Sequence, residues 1–151
     1  MHRIALRAVL VMAVALVLAG LSVSVPAQGA AQTCMGKTAT IVGTGGVDTI
    51  DGTAGPDVIV GLAGADIIRG HGGHDTICGR AGADRILGGA GRDRIRGQVG
   101  ADRIHGGPGR DRLWGGTGAD VIYGGRGVDR IRGGPGSDTC FSPKHAPGCE
   151  F

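Results

Sequence analysis

The sequence predicts an all-β chain wound as a right-handed parallel β-roll, a β-solenoid of about eleven nonapeptide repeats. Three observations carry this. Glycine fills 33 of 151 positions, against about 7% in an ordinary domain. Eleven aspartates stand nine residues apart without a slip: Asp48, Asp57, Asp66, Asp75, Asp84, Asp93, Asp102, Asp111, Asp120, Asp129 and Asp138. Two positions after each comes Ile, replaced only by Leu113 and Cys140. Glycine density alone would suit a disordered chain equally well, but fixed columns reject that reading. With one Trp, one Tyr and two Phe, the composition also argues against an enzyme built around a large apolar core.

The first element is an export segment. Arg3 and Arg7 precede an unbroken apolar run from Ala8 to Ala19, and Val25-Pro26-Ala27 offers a small residue at a cleavage point. Residues 1–27 therefore read as a signal peptide, with cleavage after Ala27, Ala30 or Ala31. A membrane anchor is the competing reading, because apolar character continues weakly to Val25. Cys34 stands too far from the cleavage region for lipoprotein attachment. The expected location is outside a bacterial cell, with no transmembrane segment after cleavage. The even set Cys34, Cys78, Cys140 and Cys149 suits that oxidising compartment. No CxxC pair supports a zinc site.

Residues 28–42 read as an N-terminal cap, and the repeat follows over 43–141. Glycine stands two residues before every aspartate of the series, from Gly46 to Gly136, and five before it, from Gly43 to Gly133. A nine-residue period holds a three-residue strand and a six-residue turn. The central strand side chain points to one face and its neighbours to the other. Two nonapeptides complete one coil, so residues 18 apart stack at about 4.8 Å. One inward ladder is Ile50, Ile68, Ile86, Ile104 and Ile122; the opposing one is Ile41, Ile59, Ile77, Ile95, Leu113 and Ile131. Between them lies a core about one side chain deep.

The turns explain the glycines and the carboxylates. Tight bends need positive φ, which glycine reaches without a Cβ clash. Each bend adds one carboxylate, and the next on that side comes one coil later. One row holds Asp48, Asp66, Asp84, Asp102, Asp120 and Asp138; the other holds Asp57, Asp75, Asp93, Asp111 and Asp129. Carboxylates and backbone carbonyls between stacked bends suit a hard cation taking six to eight oxygens, which is Ca²⁺ rather than the stricter Mg²⁺. The gaps in the two rows accommodate up to about nine ions. The competing reading makes each Asp a turn former that caps its own backbone.

The repeat G-x-x-G-x-D-x-I-x, with a second glycine in copies such as Gly88-Gly89-Ala90-Gly91-Arg92-Asp93-Arg94-Ile95-Arg96, resembles the RTX (hemolysin-type) calcium-binding nonapeptide. The resemblance spans Gly43 to Phe141. It implies that carbonyls of the turn glycines complete each calcium site. RTX enzymes carry a separate catalytic domain, and no residues are left here to build one. An N-terminal signal departs from the family's usual C-terminal secretion signal.

A thin core set against a glycine-rich chain predicts that folding and calcium binding are one process. Stacking also sorts the cysteines. Cys34 and Cys140 lie near opposite ends of the rod, beyond disulfide reach. Cys34–Cys78 then requires the segment before Ile41 to run back along the outside. Cys140–Cys149 would close the C-terminal cap, residues 142–151.

Charge departs from the acidic norm of the family. Without Arg3 and Arg7 the chain keeps 14 basic and 13 acidic side chains. Arg85, Arg94, Arg103, Arg112 and Arg130 each follow a series aspartate and should face solvent, with Arg94, Arg112 and Arg130 in one vertical row. They read either as a solvated face paired with neighbouring Asp or as a surface for anionic polymers. His71 and His74 lie on one turn, and His105 and His145 converge with them in no predictable way. Trp114 and Tyr123 read as isolated outward aromatics. Basic residues without interleaved aromatics make a poor base-stacking platform, so specific nucleic-acid recognition is not expected. No HExxH, G-x-S-x-G or P-loop motif occurs. The function read from sequence is a monomeric, secreted, non-enzymatic calcium-binding protein with a structural or adhesive role. A binding module for anionic cell-envelope polymers is the alternative.

Overall fold

A computed structural model describes residues 31–142. The expected signal peptide and the segment 143–151 lie outside the described residues, as does Cys149 of the expected Cys140–Cys149 bridge. Among the described residues every regular element is a strand, and no helix is long and apolar enough to cross a membrane. Two six-stranded parallel sheets face each other in a β-solenoid of about six turns.

One sheet is built from Thr49–Asp51, Ile67–Arg69, Arg85–Leu87, Arg103–His105, Val121–Tyr123 and Thr139–Phe141, stacked in sequence order. The other stacks Ile41–Val42, Val58–Ala63, Thr76–Ala81, Arg94–Val99, Arg112–Thr117 and Arg130–Arg132. In both, the register joins residues 18 apart, as in Ile50↔Ile68 and Ile59↔Ile77. The three-residue strand holds throughout the first sheet. In the second, four strands run to six residues, because the bend backbone also pairs between coils: Leu62↔Arg80, Arg80↔Gln98 and Gln98↔Gly116.

The core is the pair of ladders read from the sequence. Ile50, Ile59, Ile68, Ile77, Ile86, Ile95, Ile104, Leu113, Ile122 and Ile131 form one buried cluster, with Ile41 and Cys140 packed at its ends. A single layer of side chains thus runs the length of the rod.

The N-terminal segment folds back on the outside. Thr33–Cys34 and Lys37–Thr38 make a hairpin through Met35 and Gly36, both at positive φ. Cys34 is bonded to Cys78 with Cα atoms 5.7 Å apart, the bridge expected from sequence. The hairpin covers Val60 and Cys78 in a second apolar cluster, flanked by Met35, Ala39, Val58 and Leu62. Lys37 Nζ donates to Thr76 Oγ1 and Arg80 to the Thr33 carbonyl, fastening its polar rim. Cys78 is outward on its strand, yet the hairpin buries it.

Two surface readings need correction. Tyr123 stacks on Phe141 with ring centroids 4.6 Å apart, and Arg96 lies 5.2 Å over the Trp114 ring. Neither aromatic is isolated, because parallel register places like positions one coil apart. Nor are the arginines paired with the series aspartates. The ion pairs among the described residues are Arg69–Asp51 and His71–Asp51.

Candidate metal centre

Both rows of aspartates run along the bends of the rod. Nine of the eleven, Asp57 to Asp129, are buried, although carboxylates are among the least often buried side chains. Their two oxygens have different fates. From Asp66 onward, each Oδ1 accepts a hydrogen bond from the backbone N–H of the aspartate one coil earlier, from Asp48 N–H to Asp66 at 2.8 Å through to Asp120 N–H to Asp138 at 2.9 Å. These bonds clamp each carboxylate across the gap between coils.

The second oxygen is left over. Oδ2 of Asp66, Asp75, Asp84, Asp93, Asp102, Asp111, Asp120, Asp129 and Asp138 is buried without a hydrogen-bond partner. A buried polar atom without a partner costs about 1–3 kcal/mol, more if charged. Nine in one rod form a repeated feature that invites a ligand.

The glycine five residues before each aspartate keeps the space beside that oxygen. A methyl group at Gly61 would lie 2.7 Å from Asp66 Oδ2 and 2.7 Å from the Gly79 carbonyl oxygen. The same pair of neighbours, the repeat's own Oδ2 and the carbonyl one coil on, surrounds Gly70, Gly79, Gly88, Gly97, Gly106 and Gly115. Any side chain would fill the cleft. Glycine leaves it narrow and faced by oxygen from two coils.

Asp48 and Asp57, the first of each row, behave differently. Asp48 Oδ2 accepts from Thr44 N–H at 2.6 Å and from the Thr44 hydroxyl at 3.0 Å. Asp57 Oδ2 accepts from Thr53 N–H at 2.7 Å and from its hydroxyl at 2.9 Å. These two cap their own turns, as the competing sequence reading had it. Thr44 and Thr53, four residues before the aspartate, were not singled out from sequence, although threonine stands at that position only in these two copies. Later copies put Leu62, His71, Arg80 and Gln98, or glycines such as Gly89 and Gly107, there in left-handed backbone.

Burial pushes the inner carboxyls above their usual range. It raises Asp75 and Asp84 to about 6 and Asp102 and Asp111 to about 7, and Asp66, Asp93 and Asp120 shift the same way. The clamping N–H bonds oppose the shift, and neighbouring carboxylates add to that of Asp102 and Asp111. Asp51, outside the nine-residue series, is lowered by its exposed contact with His71. Among the described residues no three His, Cys, Asp or Glu side chains converge on one point. Most donors to any ion must therefore be backbone carbonyls, a set that suits calcium and not a transition metal. The two turn histidines are engaged locally: His71 Nε2 lies 3.0 Å from Asp51, and His74 Nδ1 accepts from Arg92 N–H.

The profile of the RTX calcium-binding nonapeptide repeat, four copies long, matches residues 42–77, 79–113 and 105–140. The chain belongs to the RTX nonapeptide-repeat family. No curated protein matches it. Among solved structures, the chain is similar to the AlgE6R3 subunit of the mannuronan C5-epimerase of Azotobacter vinelandii, at 27% identity and a TM-score of 0.40. That alignment covers 58% of this chain and 52% of the other, so this RTX chain spans about half of that neighbour.

Proposed function

We propose that this RTX protein is a secreted, non-enzymatic calcium-binding β-roll whose folding is coupled to ion binding, and that it serves as a structural or adhesive module outside the cell. One observation carries the reading: nine clamped carboxylates, eight of them buried and that of Asp138 half-buried, each present a buried, unused oxygen to a cleft that glycine keeps open. Stacked carboxylates without a cation repel one another and strand those oxygens. A divalent ion relieves both costs. Asp66, Asp75, Asp84, Asp93, Asp102, Asp111, Asp120, Asp129 and Asp138 would hold calcium with turn carbonyls, up to about nine ions, while Asp48 and Asp57 begin the two rows. Bound calcium supplies an electrostatic cross-link between coils that the one-layer core lacks. Because unfolded chain has no such clefts, ion affinity becomes folding free energy.

Far-ultraviolet circular dichroism in EGTA and then in excess calcium tests the coupling. The expected result is a largely disordered spectrum that becomes β on calcium addition; an unchanged β spectrum in EGTA overturns it. The role outside the cell is supported by the resemblance of residues 1–27 to a signal peptide and by the Cys34–Cys78 disulfide.

A further inference from the structure

The outer face of the long-strand sheet changes character along the rod. Its first half, including Val60 and Cys78, lies under the N-terminal hairpin. Further along, the same two columns read Arg94, Arg112 and Arg130 beside Arg96, Trp114 and Arg132, each in parallel register with the next. Arg92 and Arg110, on the bends preceding these strands, join Arg94, Arg112 and Arg130 around a groove of about 300 Å³. Asp93 and Asp111 also line it, yet their carboxylates turn inward. Their Oδ1 atoms accept the Asp75 and Asp93 N–H groups, and their Oδ2 atoms are buried. No carboxylate forms an ion pair with these arginines among the described residues, and the Nε of Arg94 is buried without a hydrogen-bond partner.

We propose that this groove binds a linear, base-free phosphate polyanion lying along the rod axis. Arginines at one column recur every coil, about 4.8 Å apart, so a file of three meets repeated charge along a polymer. A single small anion would use only part of the file. Bend arginines and strand arginines approach the groove as two ranks, which suits a tetrahedral group with oxygens in several directions. The guanidinium fork bonds such oxygens in pairs. No aromatic side chain lines the groove, and the nearby Trp114 face is taken by Arg96. A base-stacking platform is therefore missing, and the argument favours a polymer without bases. The inference needs the folded rod but not any particular number of bound ions.

Binding of fluorescent poly(glycerol phosphate) to the full chain, at fixed free calcium, tests it. Arg94→Gln/Arg112→Gln should weaken binding about tenfold or more, while Arg85→Gln/Arg103→Gln should change it less than about twofold. The second pair removes the same charge from stacked positions on the opposite sheet. Arg110→Gln/Arg130→Gln, both exposed, repeats the test should the first variant lose its circular dichroism signature. Equal losses on the two sheets, or no binding by the wild type, overturn the site. Tighter binding of polyglutamate or of an oligothymidylate of matched charge overturns the assignment to a base-free phosphate chain. These results leave the calcium titration untouched, so the two readings fail separately.

Discussion

The first coil and the coils above it use one motif in two ways. At the N-terminal end, Thr44 and Thr53 satisfy Asp48 and Asp57 from within their own turns, and a disulfide-fastened hairpin covers the adjoining sheet. Every donor and acceptor needed there is protein. From Asp66 onward, the threonine is gone and one carboxyl oxygen per repeat is stranded. The two regions differ in whether the residue four positions upstream, through its backbone N–H and hydroxyl, takes up the aspartate's Oδ2 or leaves it without a partner. The N-terminal end, with its hairpin and disulfide, is the base on which the remaining coils stack.

Substitution at equivalent positions sharpens that contrast most. Asp102→Asn keeps an oxygen for the Asp84 N–H but removes the charge beside the cleft at Gly97. In calcium it should cost about 3–5 kcal/mol, whereas Asp48→Asn should cost less than about 1 kcal/mol. Denaturant unfolding of both variants in calcium measures the two losses; equal losses would erase the distinction between the coils.

Opening the base itself comes next. Cys34→Ser/Cys78→Ser removes a bridge spanning 44 residues and should cost about 3–4 kcal/mol. In calcium the upper coils should keep their β signal, with the midpoint of guanidinium unfolding reduced. Complete loss of β structure would mean that the hairpin, and not the ion row, holds the rod.

Acidity distinguishes the regions in a third way. Burial raises Asp75 and Asp84 to about 6 and Asp102 and Asp111 to about 7 from 3.8. The metal-free folded form thus retains protons that the unfolded chain releases. Stability from these groups is fully present below about pH 4 and is lost as pH rises through 6 to 7. In EGTA, circular dichroism should show more β structure at pH 4.5 than at pH 7.5. Calcium must displace the same protons, so its affinity should rise across that window with proton release, visible as a buffer-dependent heat in calorimetry. More β structure at pH 7.5 without metal would contradict the sign.

The smallest effect concerns backbone strain. Gln98 stands at φ 88° where later copies place Gly107, Gly116, Gly125 and Gly134 in positive φ. Gln98→Gly should therefore raise stability by about 1 kcal/mol, read as a higher thermal midpoint in calcium. A lower midpoint would show that its pairing with Arg80 and Gly116 outweighs the strain.

Much of this architecture was legible in the sequence because it repeats. Period nine fixed the frame, and frame alone yields both Ile ladders, the two aspartate rows and the cysteine that the N-terminal segment reaches. What escaped does not repeat. Thr44 and Thr53 occur in two copies only, and their effect depends on whether an upstream donor bends toward the carboxylate. Arg96 over Trp114 and Tyr123 on Phe141 follow from stacking register, but an 18-residue separation hides such pairs from a linear reading. The arginines offered two readings of equal spacing. Only the inward turn of Asp93 and Asp111 separates a paired face from an open one.

Equilibrium dialysis at saturating calcium, counting ions per chain, bears most directly on the claim that stranded Oδ2 atoms are the ligands. The wild type should bind about nine ions, and Thr44→Val/Thr53→Val should leave the count near that number. Each Asp→Asn change within the series from Asp66 should lower it by about one. A folded rod that binds no calcium, or whose count is indifferent to those aspartates, would contradict the account.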